Sequence, residues 1–200
     1  MSRLRAAASG AIFTWSAMAA SRGVPAWDAA LFRRLNELPD SLAPIVWVPM
    51  QAGALAAPLT VAAFLLTRRR RRDACRIGTT GAAAWALAKL VKTQIDRGRP
   101  GVHIEQTTLR IGSADHGLGY PSGHAAVAVA LAIGLTRHAS RSRRLAGVAV
   151  VSTVGASRVY VGAHYPLDVI GGFAMGVAIA DVYDTVEGVI TSTSRRRAPD

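Results

Sequence analysis

The most constraining feature of this sequence is an uncharged run over residues 41–67 (SLAPIVWVPMQAGALAAPLTVAAFLLT), 27 residues long, that stops at Arg68-Arg69-Arg70-Arg71-Arg72. A bilayer's hydrocarbon core needs roughly 20 residues of helix. The run is therefore long enough to cross, and no span could continue through five arginines. Pro44, Pro49 and Pro58 are expected to kink it, which membrane helices tolerate when neighbours re-satisfy the freed carbonyls. Apolar runs recur at residues 77–88, 125–136, 145–156 and 169–180, with an earlier one at residues 6–20. Each reaches spanning length if its helix extends into flanking polar residues. Buried helices of a water-soluble protein would carry polar faces at helical spacing, and residues 81–88 and 125–135 carry none. The expected fold is all-α: an integral-membrane helical bundle of five to six transmembrane helices.

The N-terminal segment is open to three readings. Arg3 and Arg5, an apolar stretch, then Ala17-Met18-Ala19 fit a cleaved signal peptide, a signal anchor or a helix lying on the bilayer. Residues 26–40 (AWDAALFRRLNELPD) suit a short interfacial helix with Trp27 and Phe32 at headgroup level. The chain is expected to form one membrane-embedded domain over residues 1–200: an N-terminal and interfacial segment (1–40), a catalytic helical core (41–185) and a basic cytoplasmic tail (186–200).

Charge supplies the orientation. The 200 residues carry 24 basic and 12 acidic side chains, a net +12, while half are hydrophobic and the mean hydropathy is +0.25. Such a chain is too apolar to be disordered, and its single cysteine, Cys75, excludes an internal disulfide framework or a multi-cysteine zinc site. Arg68–Arg72 with Arg76, then Arg137, Arg141, Arg143 and Arg144, then Arg195–Arg197 occupy every second connection and the C-terminus. The positive-inside rule places all three clusters in the cytoplasm, so residues 92–124 and 158–168 share the opposite face. A nucleic-acid binder would instead gather its basic residues on one soluble surface. The bilayer is the expected partner and nucleic acid is not.

Three motifs fall on that opposite face: Lys92-Thr93-Gln94-Ile95-Asp96-Arg97-Gly98-Arg99-Pro100, then Pro121-Ser122-Gly123-His124 opening an apolar helix, then Ser157-Arg158 followed by His164-Tyr165-Pro166-Leu167-Asp168. Singly each is weak, since a lysine near a span end often snorkels and Ser-Gly before a helix is often only a cap. Together they gather three cations, two histidines and a carboxylate. Lys92, Arg99 and Arg158 suit a phosphate. Ser122 and Gly123 sit where helix amides and the dipole favour an anion, and Gly123 lets that backbone approach closely. Cations so placed stabilise a phosphoryl-transfer transition state. No carboxylate cluster of metal-site type is visible, so neither metal nor other cofactor is expected. Pro166 suits a first helical turn. Asp168 in that turn leans back toward His164, fixing its tautomer for attack on phosphorus. His124 is placed to protonate the leaving oxygen and then to activate water.

The pattern K-x6-RP, PSGH and SR-x5-H-x3-D, met here at Lys92/Arg99/Pro100, residues 121–124 and Ser157/Arg158/His164/Asp168, closely resembles the type 2 phosphatidic acid phosphatase superfamily. The resemblance implies a helical membrane enzyme that removes a phosphate from a lipid, without metal, through a phosphohistidine. In that reading His164 is the nucleophile, Asp168 its orienting partner and His124 the acid and base, while Lys92, Arg99, Ser122, Gly123 and Arg158 hold the phosphate. The superfamily also contains soluble acid phosphatases and vanadium haloperoxidases, so the motifs alone do not fix the reaction. A phosphotransferase using the same intermediate, and a non-catalytic basic protein bound to membrane or nucleic acid, are the alternatives.

Residues 101–120 form a long polar connection with His103, Glu105, Arg110, Asp115 and His116, a binding loop or a solvated one. Asp96 and Arg97 read as a local ion pair, Lys89 as a snorkelling or structurally paired lysine, and Cys75 as an inert thiol. Gly172 and Gly176 have the spacing for close helix packing, expected within the chain, with a homodimer contact as the other option. Candidate substrates are a polyprenyl (pyro)phosphate, a polyprenyl-linked sugar phosphate, phosphatidic acid and phosphatidylglycerophosphate. Twenty-two arginines against two lysines, with abundant alanine, suggest a GC-rich bacterial genome and tilt the choice toward a polyprenyl-linked lipid of the cell envelope.

Overall fold

The computed structural model describes residues 3–113 and 116–196; Asp115 and Arg197, both named above, lie outside the described residues. Among the described residues the chain is all-helical: α1 (Arg3–Ser21), α2 (Ala26–Asn36), α3 (Ala43–Met50), α4 (Ala56–Thr67), α5 (Arg71–Ile95), the single turn α6 (Pro100–His103), α7 (Gly123–Thr136), α8 (Arg141–Tyr160) and α9 (Pro166–Arg196). The apolar runs extend into polar flanks in α5 and α8, whereas the run at residues 125–136 does not: α7 is only 14 residues long. Residues 186–196, expected as a separate tail, continue α9.

The run over residues 41–67 is not one kinked helix. It breaks at a 3₁₀ turn, Gln51–Gly53, and the two halves are bent by 60°. Pro58 has no N–H to offer the carbonyl of Ala54, so the ladder of α4 cannot be carried back through that point. The break is also where the chain crosses α7: a Cβ on Gly53 would lie 2.5 Å from the His124 carbonyl oxygen. α9 is long and apolar enough to cross a membrane by itself, and the bent pair is so when taken together.

α7 is the central element. It packs against α5, α8 and α9, and residues 125–131 are all buried. Small residues permit that approach. A Cβ on Gly172 would meet the Ser122 carbonyl oxygen at 2.4 Å, and one on Gly176 the Ala126 carbonyl oxygen at 2.5 Å. The small-xxx-small spacing is therefore used within the chain, between α9 and α7. Around this core the outer helix faces are apolar and exposed, with Ile45, Val48, Leu90, Val148 and Val182 each more than 60% accessible. Exposed large apolar side chains occur on α1 to α5 and on α7 to α9 alike.

The two ends of the bundle differ in charge chemistry. At one end Arg76 pairs with Asp184 and Glu187, and Arg137 reaches the same two carboxylates at 3.2 Å. Arg5 pairs with Asp181 nearby on α9. Lys92 lies 16 residues beyond Arg76 on α5, about 24 Å further along at the usual helical rise. The arginine-rich connections and the three motifs are therefore held at opposite ends. Along α5, Lys89 lies over the Trp85 ring at 3.8 Å, a structural pairing as expected.

Candidate active site

All three motifs sit at helix ends on one side of the bundle: Lys92 in the last turn of α5, residues 122–124 at the start of α7, Arg158 near the end of α8, and Asp168 in the first turn of α9. Backbone bonds stitch these ends together. The Ser122 amide donates to the Asp168 carbonyl oxygen at 2.8 Å, and the Gly119 amide to the Arg97 carbonyl at 2.6 Å. The connection over residues 101–120 is bound to the site. Lys92 Nζ donates to the carbonyls of Leu118 and Gly119, both at 2.8 Å, and Arg158 donates to the Gly112 carbonyl at 2.7 Å. Arg110 ties the same connection to Asn36, Leu38, Asp40 and Tyr160.

His164 owes its position to the end of α8. The Arg158 carbonyl accepts from the amides of Ala163 and His164, at 3.1 and 3.2 Å. Gly162 makes the preceding turn in the left-handed region (φ +83°), and a Cβ there would also lie 2.7 Å from the Thr108 carbonyl oxygen. The imidazole is 3% exposed. Burial holds it well below the usual histidine range, and Lys92, Arg158, Arg99 and His124 all face it and add to that effect. His164 is therefore a neutral imidazole at pH 7.

The surroundings of Asp168 go beyond the sequence reading. His164 Nδ1 lies 3.5 Å from Asp168 Oδ2, as the spacing implies, but without a hydrogen-bond partner. The carboxylate is held elsewhere: Oδ2 accepts from the Tyr165 amide at 2.9 Å, and Oδ1 from Arg97 at 2.8 Å. Contrary to the local ion pair expected above, Arg97 does not pair with Asp96. Asp96 takes the left-handed conformation (φ 49°) that closes α5, which turns Arg97 inward. The second guanidinium nitrogen of Arg97 reaches Asp28 on α2 at 2.5 Å, and Asp28 also accepts from the Leu167 amide at 2.9 Å. Phe32 corrects a second expectation. It is fully buried, packed against Tyr165 with the ring centroids 5.4 Å apart and the planes tilted by 59°, and only Trp27 of the expected headgroup pair is exposed, at 45%. The clue lay in the helical spacing: Asp28, Phe32 and Asn36 form one buried stripe, so α2 carries polar residues on its inward face.

Of the remaining expected residues, Arg99, Arg158 and His124 lie near enough to His164 to act on its charge, and Ser122 and Gly123 begin the helix that carries His124. Arg99 and Arg158 each keep a buried Nε without a hydrogen-bond partner. Burial lowers the Arg99 guanidinium from its ordinary value, with Asp168 opposing. Ser122 caps α7 by accepting from the Ala125 amide at 3.4 Å, leaving its O–H free to donate. A Cβ on Gly123 would meet only Ala88, at an ordinary 3.5 Å, so packing does not demand glycine there. What converges is a set of guanidinium, ammonium, hydroxyl and helix-start N–H donors beside two imidazoles. Its one carboxylate is already paired. This is a donor set for an anion.

A donor set of that kind on a helical bundle defines a class of anion-handling protein, and comparison with known proteins narrows the class to phosphatases. The sequence profile of the PAP2 superfamily matches residues 73–187. The chain is 31% identical to the decaprenylphosphoryl-5-phosphoribose phosphatase of Mycobacterium tuberculosis over 136 residues, 68% of each chain. It is 29% identical to an undecaprenyl-diphosphatase of Sulfolobus acidocaldarius over 131 residues, 66% of this chain and 58% of the other. Its fold is similar to that of the transmembrane PAP2-type phosphatidylglycerolphosphate phosphatase of Bacillus subtilis, with a TM-score of 0.76 at 21% identity, covering 93% of this chain and 97% of that one. The chain belongs to the PAP2 superfamily, and it is a phosphatase of that superfamily.

Proposed function

We propose that the chain is a multi-pass membrane enzyme of five to six spans that hydrolyses the phosphomonoester or pyrophosphate of a lipid, without metal, through a phosphohistidine. The observation that carries this reading is the gathering of Lys92, Arg99, Arg158 and His124 around the buried, neutral His164. His164 Nδ1 faces Asp168, so Nε2 attacks phosphorus. The P–O bond to the lipid breaks, and His124 gives its proton to the leaving oxygen. Water then attacks the phosphohistidine as His124 takes its proton, the P–N bond breaks, and phosphate leaves. Lys92, Arg99, Ser122, Gly123 and Arg158 hold the three equatorial oxygens as charge redistributes.

An apolar groove of about 610 Å³ between α1, α5 and α9 supports a lipid substrate. It is lined by Phe13, Leu87, Val91, Met175, Ile179 and Val182, and Val91 precedes Lys92. The positive-inside rule puts the arginine-rich end in the cytoplasm and the site on the extracytoplasmic side of the plasma membrane. Both relatives act on polyprenyl-linked phosphates by name, which favours that substrate class here. The test is phosphate release from a panel of lipid phosphates in detergent with EDTA present. Wild type is expected to turn over and His164→Ala is not. A need for added metal, or turnover that survives loss of His164, defeats the mechanism.

A further inference from the structure

We propose that Arg97 and Asp28 are positioning residues for His164, acting through Asp168, and that helix α2 is thereby part of the reaction centre. The inference rests on the reading that His164 is the nucleophile.

Asp28, Arg97 and Asp168 are all at most 2% exposed, and one guanidinium joins the two carboxylates, at 2.5 and 2.8 Å. Each branch of the Arg97 fork is committed, so the plane of the guanidinium is fixed from both sides. On Asp168, Arg97 occupies Oδ1 and the Tyr165 amide occupies one side of Oδ2. Oδ2 also lies 3.5 Å from His164 Nδ1, which has no hydrogen-bond partner of its own. Asp28 repeats the arrangement one layer further out. Its second oxygen accepts from the Leu167 amide, in the turn that carries His164. Tyr165 lies between the two networks, with the Arg97 guanidinium 4.7 Å from its ring and Phe32 of α2 packed on it. The 164–168 turn is therefore gripped from below by α2 through Asp28 and Phe32. With Asp28 neutral, Arg97 answers to Asp168 alone. It draws that carboxylate away from Nδ1, and the imidazole loses the carboxylate near enough to close on it and set its tautomer and angle of attack.

A carboxylate that merely docked α2 would matter equally whether or not Asp168 was present, and this separates the two roles. Asp28→Asn and Arg97→Lys are made in wild type and in Asp168→Asn, purified in detergent and assayed with dioctanoyl phosphatidate, with vanadate inhibition reporting anion binding. Where Asp168→Asn turns over too slowly to read, Asp168→Glu serves as the background. The expected result is a fall in kcat of about tenfold, within the coupling range of residues sharing one network. KM and vanadate inhibition should stay within about twofold, and the fall in kcat should vanish when Asp168 is substituted. An equal fall in both backgrounds, a change confined to KM, or an unchanged kcat overturns the proposal. So does failure of both variants to fold, because the network would then be holding the fold rather than the histidine. Trapping of acid-labile phosphate on wild-type His164 tests the nucleophile reading separately. Its absence defeats that reading, while the coupling between Asp28 and Asp168 in kcat still decides this one.

Discussion

Replacing Gly172 by alanine tests whether the closeness of α9 to α7 is what assembles the site. The added Cβ would lie 2.4 Å from the Ser122 carbonyl oxygen and 2.9 Å from the Ala125 Cβ, where ordinary contact begins at 3.4 Å. The first obstacle is backbone, so no side-chain rotation relieves it. α9 must move off α7 by about 1 Å, and overpacking of this kind costs about 1–3 kcal/mol. Asp168 stands one turn before Gly172, and its carbonyl accepts the Ser122 amide at 2.8 Å. The same displacement takes that bond to nearly 4 Å, beyond hydrogen-bonding range. Asp168 and His164 then separate from the start of α7, where Ser122, Gly123 and His124 stand. A misplacement of about 1 Å at a reacting centre lowers the rate by about 100-fold. The assay is thermal unfolding in detergent together with kcat on a lipid phosphate. Gly188→Ala is the control, since its Cβ would meet nothing within 4 Å; it is expected to stabilise by about 0.5–1 kcal/mol through helix propensity. A Gly172→Ala protein with wild-type stability and turnover would refute the reasoning.

Two further outcomes follow from the site and from the far end of the bundle. The folded protein binds a proton on His164 less readily than the unfolded chain does, whose histidines titrate near 6.5. The linkage therefore contributes nothing above about pH 6.5 and removes stability as the pH falls below it. His164→Asn should flatten the acid side of a melting-temperature profile taken from pH 7.5 to 5, and an unchanged slope would contradict the burial argument. Arg76→Met strands Asp184 and Glu187 at the arginine-rich end, but Arg137 remains 3.2 Å from both. The expected loss is about 2 kcal/mol, below the 3–5 typical of a fully unpaired buried charge. kcat per folded enzyme should not change, and a fall in kcat would mean that the two ends are coupled.

The break within residues 41–67 and the run of α9 through residue 196 apart, the sequence by itself determined most of the helices, their order and the end of the bundle at which the three motifs lie. Those properties are local or periodic: apolar runs set helices, charge blocks set the ends, and a motif fixes which residues share one turn, as His164 and Asp168 do. Tertiary structure alone decided which partner each buried charge takes. Asp28 and Arg97 are 69 residues apart, and nothing in the neighbourhood of either names the other. Asp96 stood next to Arg97 and lost it, because the left-handed end of α5 turns one outward and the other into the core. Residues 101–120 carry no helical or strand periodicity, so only the folded chain shows that their carbonyls receive Lys92 and Arg158. Burial makes an unpaired charge costly, and burial is a property of the whole packed bundle, not of any stretch of sequence.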